Sequence, residues 1–127
     1  TTRLWKGKHP VRIVLDISLR LPFTLKLFDA TVKTIVLNGL KDDIHENILF
    51  YKLSTDKPLA QAICNALYQL NIQSVMIEGG TKLLQLFIDE ALYDELRTIK
   101  NNNMYIGKGL KAPVLPNVLL KEKFIYM

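Results

Sequence analysis

The residues best suited to ligand chemistry lie between positions 72 and 84. There the sequence runs from a short apolar stretch through a glutamate and two glycines into an amphipathic helical pattern. Ligands of open α/β sheets bind outside the carboxyl ends of strands, where the amino end of a helix offers unpaired N–H groups to a phosphate. Glycine lets a ligand approach the backbone without meeting a Cβ atom. The pattern therefore predicts a binding turn for dinucleotide phosphates, formed by Gly79, Gly80 and the backbone amides of Thr81 and Lys82.

Glu78 stands between the apolar stretch and the glycines, where its carboxylate would offer a hydrogen-bond acceptor to a second, polar ligand. The residues alone leave two other interpretations open. The glycine pair could be simple turn chemistry, and a glutamate at the end of a strand could cap a neighbouring helix. The full Gly-x-Gly-x-x-Gly spacing is missing, which argues against a Rossmann site.

Apolar patterning predicts the elements that position this turn. Nearly continuous apolar runs predict strands at 11–15, 32–37, 48–51, 74–77, 96–99, 104–106 and 124–127. Asp56 and Pro58 are start signals for a helix that Asn71 would end, and a second helix follows the glycines. Helices between strands imply crossover connections, so we expect an α/β fold with a mostly parallel sheet flanked by helices and antiparallel late strands.

Composition bounds the class of protein. The chain has 127 residues, of which 49% are hydrophobic and 23% charged, as expected for one globular domain. No apolar run approaches the ~18 residues of a membrane span. Cys64 is the single cysteine, which favours a reducing, cytoplasmic setting. His9, His45 and Cys64 lack the spacing of metal ligands, so no metal is expected.

The net charge of +5 is concentrated near the amino terminus. Residues 1–33 include seven basic and two acidic side chains, whereas the remaining chain has ten of each sign. This imbalance predicts either an anionic partner or a solvated basic face. No recognition helix or interleaving of aromatic and basic residues favours nucleic acid.

Four segments occur in an informative order: VRIVLD at 11–16 with LRLP at 19–22, IQSVMIEGG at 72–80, LYDEL at 92–96, and IGKGLKAP at 106–113. They resemble the strand and turn, the glutamate–glycine–glycine signature, the acidic segment and the late glycine-containing loop of a known family. That family is the NADPH-dependent pyrimidine reductase of riboflavin biosynthesis, which has a dihydrofolate-reductase-like fold.

The resemblance implies reduction of 5-amino-6-(5-phosphoribosylamino)uracil to its ribitylamino product, with NADPH as hydride donor and a homodimer as the assembly. It implies substrate binding by Glu78 and by Arg3, which matches the arginine of the family's L-T-x-R motif and has a fork suited to phosphate. It implies cofactor binding by residues 80–86. Ile17 replaces the family's small polar residue near the cofactor, and we expect Ser18 to take that role. Lys82 is a candidate for the 2′-phosphate.

The family's earlier S-L-D-G and D-P segments do not occur in this sequence, nor do the zinc ligands of the deaminase domain often fused to the reductase. We therefore expect residues 1–127 to be the later part of a single reductase domain, catalytically incomplete alone. No side chain is a clear general acid, so the catalytic residues remain unassigned. Two alternatives stay open: another reductase of this fold group acting on a pteridine or pyrimidine, and a non-catalytic nucleotide-binding or interaction module.

Overall fold

The computed structural model describes residues 6–99, 101, 103–104 and 107–116. The chain consists of two compact units, Thr1–Gln73 and Ser74–Met127. Among these described residues, the first unit contains a sheet and one helix of 11 residues, and the second contains one helix of 9 residues.

The sheet of the first unit has four strands, β1 (Arg12–Leu15), β2 (Thr34–Asn38), β3 (Asp43–His45) and β4 (Ile48–Lys52), in the order β1-β2-β4-β3. β1, β2 and β4 are parallel, and β3 is antiparallel to β4. All five residues of β2 are buried, because this strand has a neighbour on each side and its apolar residues 35–37 pack on both faces. The buried polar residues at its ends, Thr34 and Asn38, form side-chain hydrogen bonds. The predicted mostly parallel α/β class is confirmed.

The connection from β1 to β2 is a loop with a single 3₁₀ turn, Lys26–Phe28. The guanidinium of Arg12 holds this loop by donating to the carbonyl oxygens of Lys26 and Leu27, at 2.9 and 3.1 Å. It also donates to the Asp29 carboxylate at 3.0 Å and to the Thr31 hydroxyl at 2.9 Å. One side chain thus satisfies several loop groups at the amino end of the sheet.

The helix predicted after β4 is α1 (Leu59–Gln69). Its buried side chains are Ala60, Ala62, Ile63, Ala66 and Leu67. The helix ends as predicted, since Asn71 takes a positive φ of 55°, a conformation that asparagine tolerates better than most residues. The predicted role of Asp56 near the cap is wrong: no side chain caps α1, and the Asp56 carboxylate instead accepts a hydrogen bond from the Ser54 hydroxyl.

The second unit is built around α2 (Thr81–Asp89), which confirms the helix predicted after the glycines. Phe87 is its buried side chain. The amide of Gln85 pairs with the backbone of Val114, accepting from its N–H at 2.7 Å and donating to its carbonyl oxygen at 3.3 Å. The described segment 107–116 is therefore tied to the helix by side-chain hydrogen bonds.

Several predicted strands are corrected. Residues 74–77 and 96–99 form no strand, although their apolar patterns predicted one. An apolar run becomes a strand only when a neighbour accepts its backbone hydrogen bonds, and Met76 here is 75% exposed. The predicted strands at 104–106 and 124–127 include residues 105–106 and 117–127, which lie outside the described residues.

The antiparallel strand of the sheet is β3, an early strand that the pattern did not predict. Its three residues are all exposed, so hydrophobic patterning gives no signal for it. The two residues between β3 and β4 form a tight turn in which Glu46 has a φ of 52°. No helix in the described part of the chain has the length and apolar character of a membrane span.

Candidate cofactor site

The predicted binding turn, here called the glycine turn and comprising residues 78–82, leads directly into α2. Gly80 is the N-cap residue, with φ 66° and ψ 137°, a backbone conformation that an L side chain rarely adopts. The first helical bond runs from the Leu84 N–H to the Gly80 carbonyl oxygen at 3.1 Å. The N–H groups of the preceding three helical residues therefore have no partner within the helix.

The glycine turn is open on its outer side. A Cβ atom added at Gly79 or at Gly80 would meet no heavy atom within 4 Å among the described residues. The first turn of α2 contains no acidic side chain that would neutralise the positive end of its dipole. The turn therefore combines unpaired N–H donors, positive potential and free space, the three properties that a bound phosphate requires.

Thr81 offers its backbone N–H to a ligand but not its hydroxyl. The Oγ1 atom donates to the carbonyl oxygen of Lys111 at 3.0 Å, which places the backbone of Lys111 beside the start of α2. Lys82 is exposed, with its ammonium group available to a phosphate. Both residues lie in the first turn of α2.

Glu78 is exposed immediately before the two glycines. No side chain caps the amino end of α2, so the interpretation of Glu78 as a cap for that helix is wrong. Its carboxylate makes no hydrogen bond to another described residue, and it remains available as an acceptor. The predicted site residues of the second unit, Glu78 to Lys82, therefore share one continuous turn.

The predicted cofactor residue of the first unit lies in the aspartate loop, residues 16–21, which follows β1. Ser18 is exposed at the tip of this loop. The Asp16 carboxylate accepts hydrogen bonds from two backbone N–H groups across the loop, those of Arg20 at 3.0 Å and Leu21 at 2.9 Å. The Asp16 carbonyl oxygen accepts a third, from the Leu19 N–H at 3.1 Å. The loop is therefore a closed turn with a defined backbone path.

The end of β2 supports the aspartate loop from the adjacent strand. The Gly39 N–H donates to the Ile17 carbonyl oxygen at 2.9 Å. A Cβ atom at Gly39 would lie 3.2 Å from that oxygen and 3.3 Å from Cγ2 of Ile17, a tighter approach than side chains normally make. Ile17, which departs from the family's small polar residue, thus packs against Gly39 and leaves Ser18 and Arg20 as the exposed polar side chains of the loop.

Asn38, fully buried at the end of β2, fixes the turn that carries Gly39. Its Oδ1 atom accepts from the N–H groups of Leu40 and Lys41, both at 2.8 Å. Its Nδ2 group donates to the carbonyl oxygens of Lys41 at 3.0 Å and Tyr51 at 3.2 Å. The predicted strand ended at residue 37, and sequence patterning gave Asn38 no role. The signal that would have revealed it is a polar amide followed by glycine at the end of a buried strand.

Arg3, the other predicted substrate residue, lies outside the described residues. The carboxyl groups with clearly shifted pKa values are elsewhere; for example, the Thr31 hydroxyl and Arg12 lower the pKa of Asp29 at the amino end of the sheet. Within the described part of the chain, no three histidine, cysteine or carboxylate side chains are grouped as metal ligands would be.

Comparison with known sequences decides the family. A family model described as the RibD C-terminal domain matches residues 1–112. The chain belongs to the RibD C-terminal domain family. This confirms the family that the four segments indicated.

Two curated proteins named "Riboflavin biosynthesis protein RibD" are similar to this RibD C-terminal domain. One, from Bacillus amyloliquefaciens, is 29% identical over 97 residues, which are 70% of this chain and 26% of that protein. The other, from Actinobacillus pleuropneumoniae, is 24% identical over 123 residues, which are 89% of this chain and 33% of that protein. The chain thus spans about a quarter to a third of the length of these relatives. No solved structure gives a significant match.

Proposed function

We propose that this chain contributes the reductase activity of a riboflavin-biosynthesis enzyme. The reaction is NADPH-dependent reduction of 5-amino-6-(5-phosphoribosylamino)uracil to the ribitylamino product. The observation that carries the proposal is the open glycine turn at the amino end of α2, in a chain of the RibD C-terminal domain family.

The residues of the glycine turn fit a dinucleotide cofactor. The absence of side chains at Gly79 and Gly80 leaves room for its phosphates, and the N–H groups of Thr81 and Lys82 would donate to them. The ammonium group of Lys82 would favour the extra 2′-phosphate that distinguishes NADPH from NADH. Ser18 on the aspartate loop would contribute a hydroxyl. When bound, NADPH supplies a hydride, and the chain's own residues would bind the cofactor and the substrate and orient them.

Glu78 and Arg3 would hold the substrate. The exposed Glu78 carboxylate would accept hydrogen bonds from polar groups of the pyrimidine, and the Arg3 guanidinium would pair with the substrate phosphate. The reaction adds a hydride and a proton across the opened, imine-like linkage at ribose C1′. Holding the two reacting carbons together can supply much of the rate acceleration, so this chemistry does not require a nucleophile.

Two alternative functions can be separated from this one. A related reductase would act on a pteridine or a different pyrimidine, and a non-catalytic module would bind the nucleotide without turnover. Ile17, in place of the family's small polar residue, is the feature that favours the second alternative.

The test is to incubate a purified protein in which residues 1–127 are joined to the expected earlier part of the reductase domain with NADPH and the phosphoribosylamino pyrimidine, and then with a pterin, while following cofactor oxidation and product mass. The proposed function predicts that the phosphoribosylamino pyrimidine gains two hydrogen atoms, one of them deuterium when the cofactor is deuterated at nicotinamide C4. Reduction of the pterin alone would favour the first alternative. Cofactor binding with neither substrate reduced would favour the second.

A further inference from the structure

The aspartate loop is held from three directions although its tip is exposed. The Asp16 carboxylate closes it through the N–H groups of Arg20 and Leu21. The Leu19 side chain packs against the core formed by Val36, Ile48 and Phe50. From the end of β2, the Gly39 N–H donates to the Ile17 carbonyl oxygen. Asp16, Ile17, Leu19, Arg20 and Leu21 are thus anchored at the carboxyl end of β1.

The backbone of this loop would not keep its path without such anchors. Leu19 has a positive φ of 50°, a left-handed conformation that is costly for a residue with a branched side chain. The Asp16 carboxylate compensates by accepting the two N–H groups on the far side of Leu19. Hydrogen bonds from backbone N–H groups to a charged acceptor are stronger than those between neutral groups.

The anchors leave two polar side chains unused. Ile17 packs against Gly39, Leu19 against the core, and Asp16 is occupied by the loop backbone, whereas Ser18 and Arg20 are exposed and their side chains make no hydrogen bond to another described residue. Ser18 also lies at the carboxyl end of a parallel strand, the edge at which open α/β sheets bind ligands.

We propose that Asp16 is a positioning residue, whose carboxylate fixes the aspartate loop so that Ser18 is presented to the dinucleotide cofactor. This inference rests on the proposed function, and it adds a residue that the family resemblance did not assign to the site. Ligand-contacting groups must be held close to their productive geometry by neighbouring hydrogen bonds, because a loop that must be ordered on binding lowers affinity.

The test measures NADPH binding by calorimetry for the wild-type protein and for the D16A, D16N, S18A and D16A/S18A variants. D29A is the matched control: Asp29 also accepts a backbone N–H, that of Thr31 at 3.1 Å, but it lies at the amino end of the sheet. Midpoints of urea unfolding are measured for all of them. Amide hydrogen exchange at Arg20 and Leu21 reports on the loop directly.

The inference predicts that D16A raises the Kd for NADPH roughly tenfold and that D16N, which keeps one acceptor oxygen, raises it by about threefold. D29A leaves the Kd within about twofold of wild type even where its unfolding midpoint falls. In D16A, exchange at Arg20 and Leu21 accelerates. Because Asp16 acts through Ser18, its replacement in the S18A background changes the Kd by much less than tenfold.

The outcomes separate this inference from the proposed function. A folded wild-type protein that does not bind NADPH overturns both. Binding by the wild type, with D16N and D16A no weaker than D29A, overturns the positioning role alone. Fully additive effects of D16A and S18A would also contradict it, since they would show that Asp16 does not act through the serine. If D16A does not fold, D16N decides between these outcomes.

Discussion

Gly79 and Gly80 are adjacent, but only Gly80 has a backbone conformation that requires glycine. Gly80 needs to be glycine for its backbone, because its φ of 66° is strained for any residue with a Cβ atom. Gly79 has no such φ, and the space around it is free among the described residues, so no described residue requires glycine there. If Gly79 is under a constraint, that constraint comes from a ligand, which makes this position the better probe of the site.

Asn38 is the residue whose loss we expect to be most costly. Replacing it with alanine removes an amide that is fully buried and leaves two N–H groups and several carbonyl oxygens without their partner. We expect N38A to lower the free energy of unfolding by about 3 kcal/mol. Urea unfolding measures this, with N65A at an exposed position of α1 as control. Equal effects of the two replacements would contradict the account.

The features of individual residues could be predicted from the sequence where they depend only on neighbouring residues in the chain. The glycine pair, the helix that follows and the exposed acceptor at Glu78 are properties of one contiguous segment. The roles of Asn38 and Asp16 were not predictable, because an aspartate after a strand does not show which backbone N–H groups it will meet. Whether Ser18 and Lys82 contact a cofactor remains a prediction.

Among the elements, the loop between β1 and β2 is held to the start of β1 by an ion pair between Arg12 and Asp29. The hydrogen bond from the Thr31 hydroxyl, together with Arg12, lowers the pKa of Asp29 below its ordinary value. A carboxyl whose pKa is lower in the folded state stabilises the fold above its unfolded pKa, and this contribution is lost as the pH falls through the folded pKa.

We therefore expect part of the protein's acid sensitivity to come from Asp29. The wild-type melting temperature should fall as the pH is lowered from about 6 to about 3. The melting temperature of D29N should fall by less over the same range, because the amide that replaces the Asp29 carboxylate takes up no proton. Thermal unfolding followed by circular dichroism at a series of pH values measures the difference. Parallel curves for the two proteins would show that the loop does not depend on this charge.

The elements differ in how far the sequence specifies them. β1, β2 and β4 were predicted because buried parallel strands need unbroken apolar runs, and α1 and α2 because their apolar residues recur at helical spacing. Residues 74–77 have the apolar composition of a buried strand, but Val75 and Met76 are exposed and the segment pairs with no strand among the described residues. Apolar composition alone therefore does not predict a strand. β3 formed because a two-residue turn brings it against β4, and its own side chains contribute no signal.

At the scale of the molecule, we propose that the chain forms a homodimer, as the family resemblance implies. Exposed apolar side chains in the first unit are compatible with association: Phe23 is 64% exposed, Leu40 60% and Ile44 75%. Analytical ultracentrifugation at micromolar concentration should give the mass of a dimer. A monomer over the whole concentration range would contradict the proposal.

We propose that the glycine turn holds the cofactor, a claim that calorimetric titration of NADPH into wild type, G79A and G107A tests. Both glycines have free space around them among the described residues and neither has a positive φ, so no described residue opposes either methyl group. We predict that the wild-type protein and G107A bind NADPH alike and more tightly than NADH. G79A should bind at least about tenfold more weakly, because its methyl group occupies the space of the phosphates. Equal binding by all three proteins, or no binding by the folded wild type, would contradict the claim.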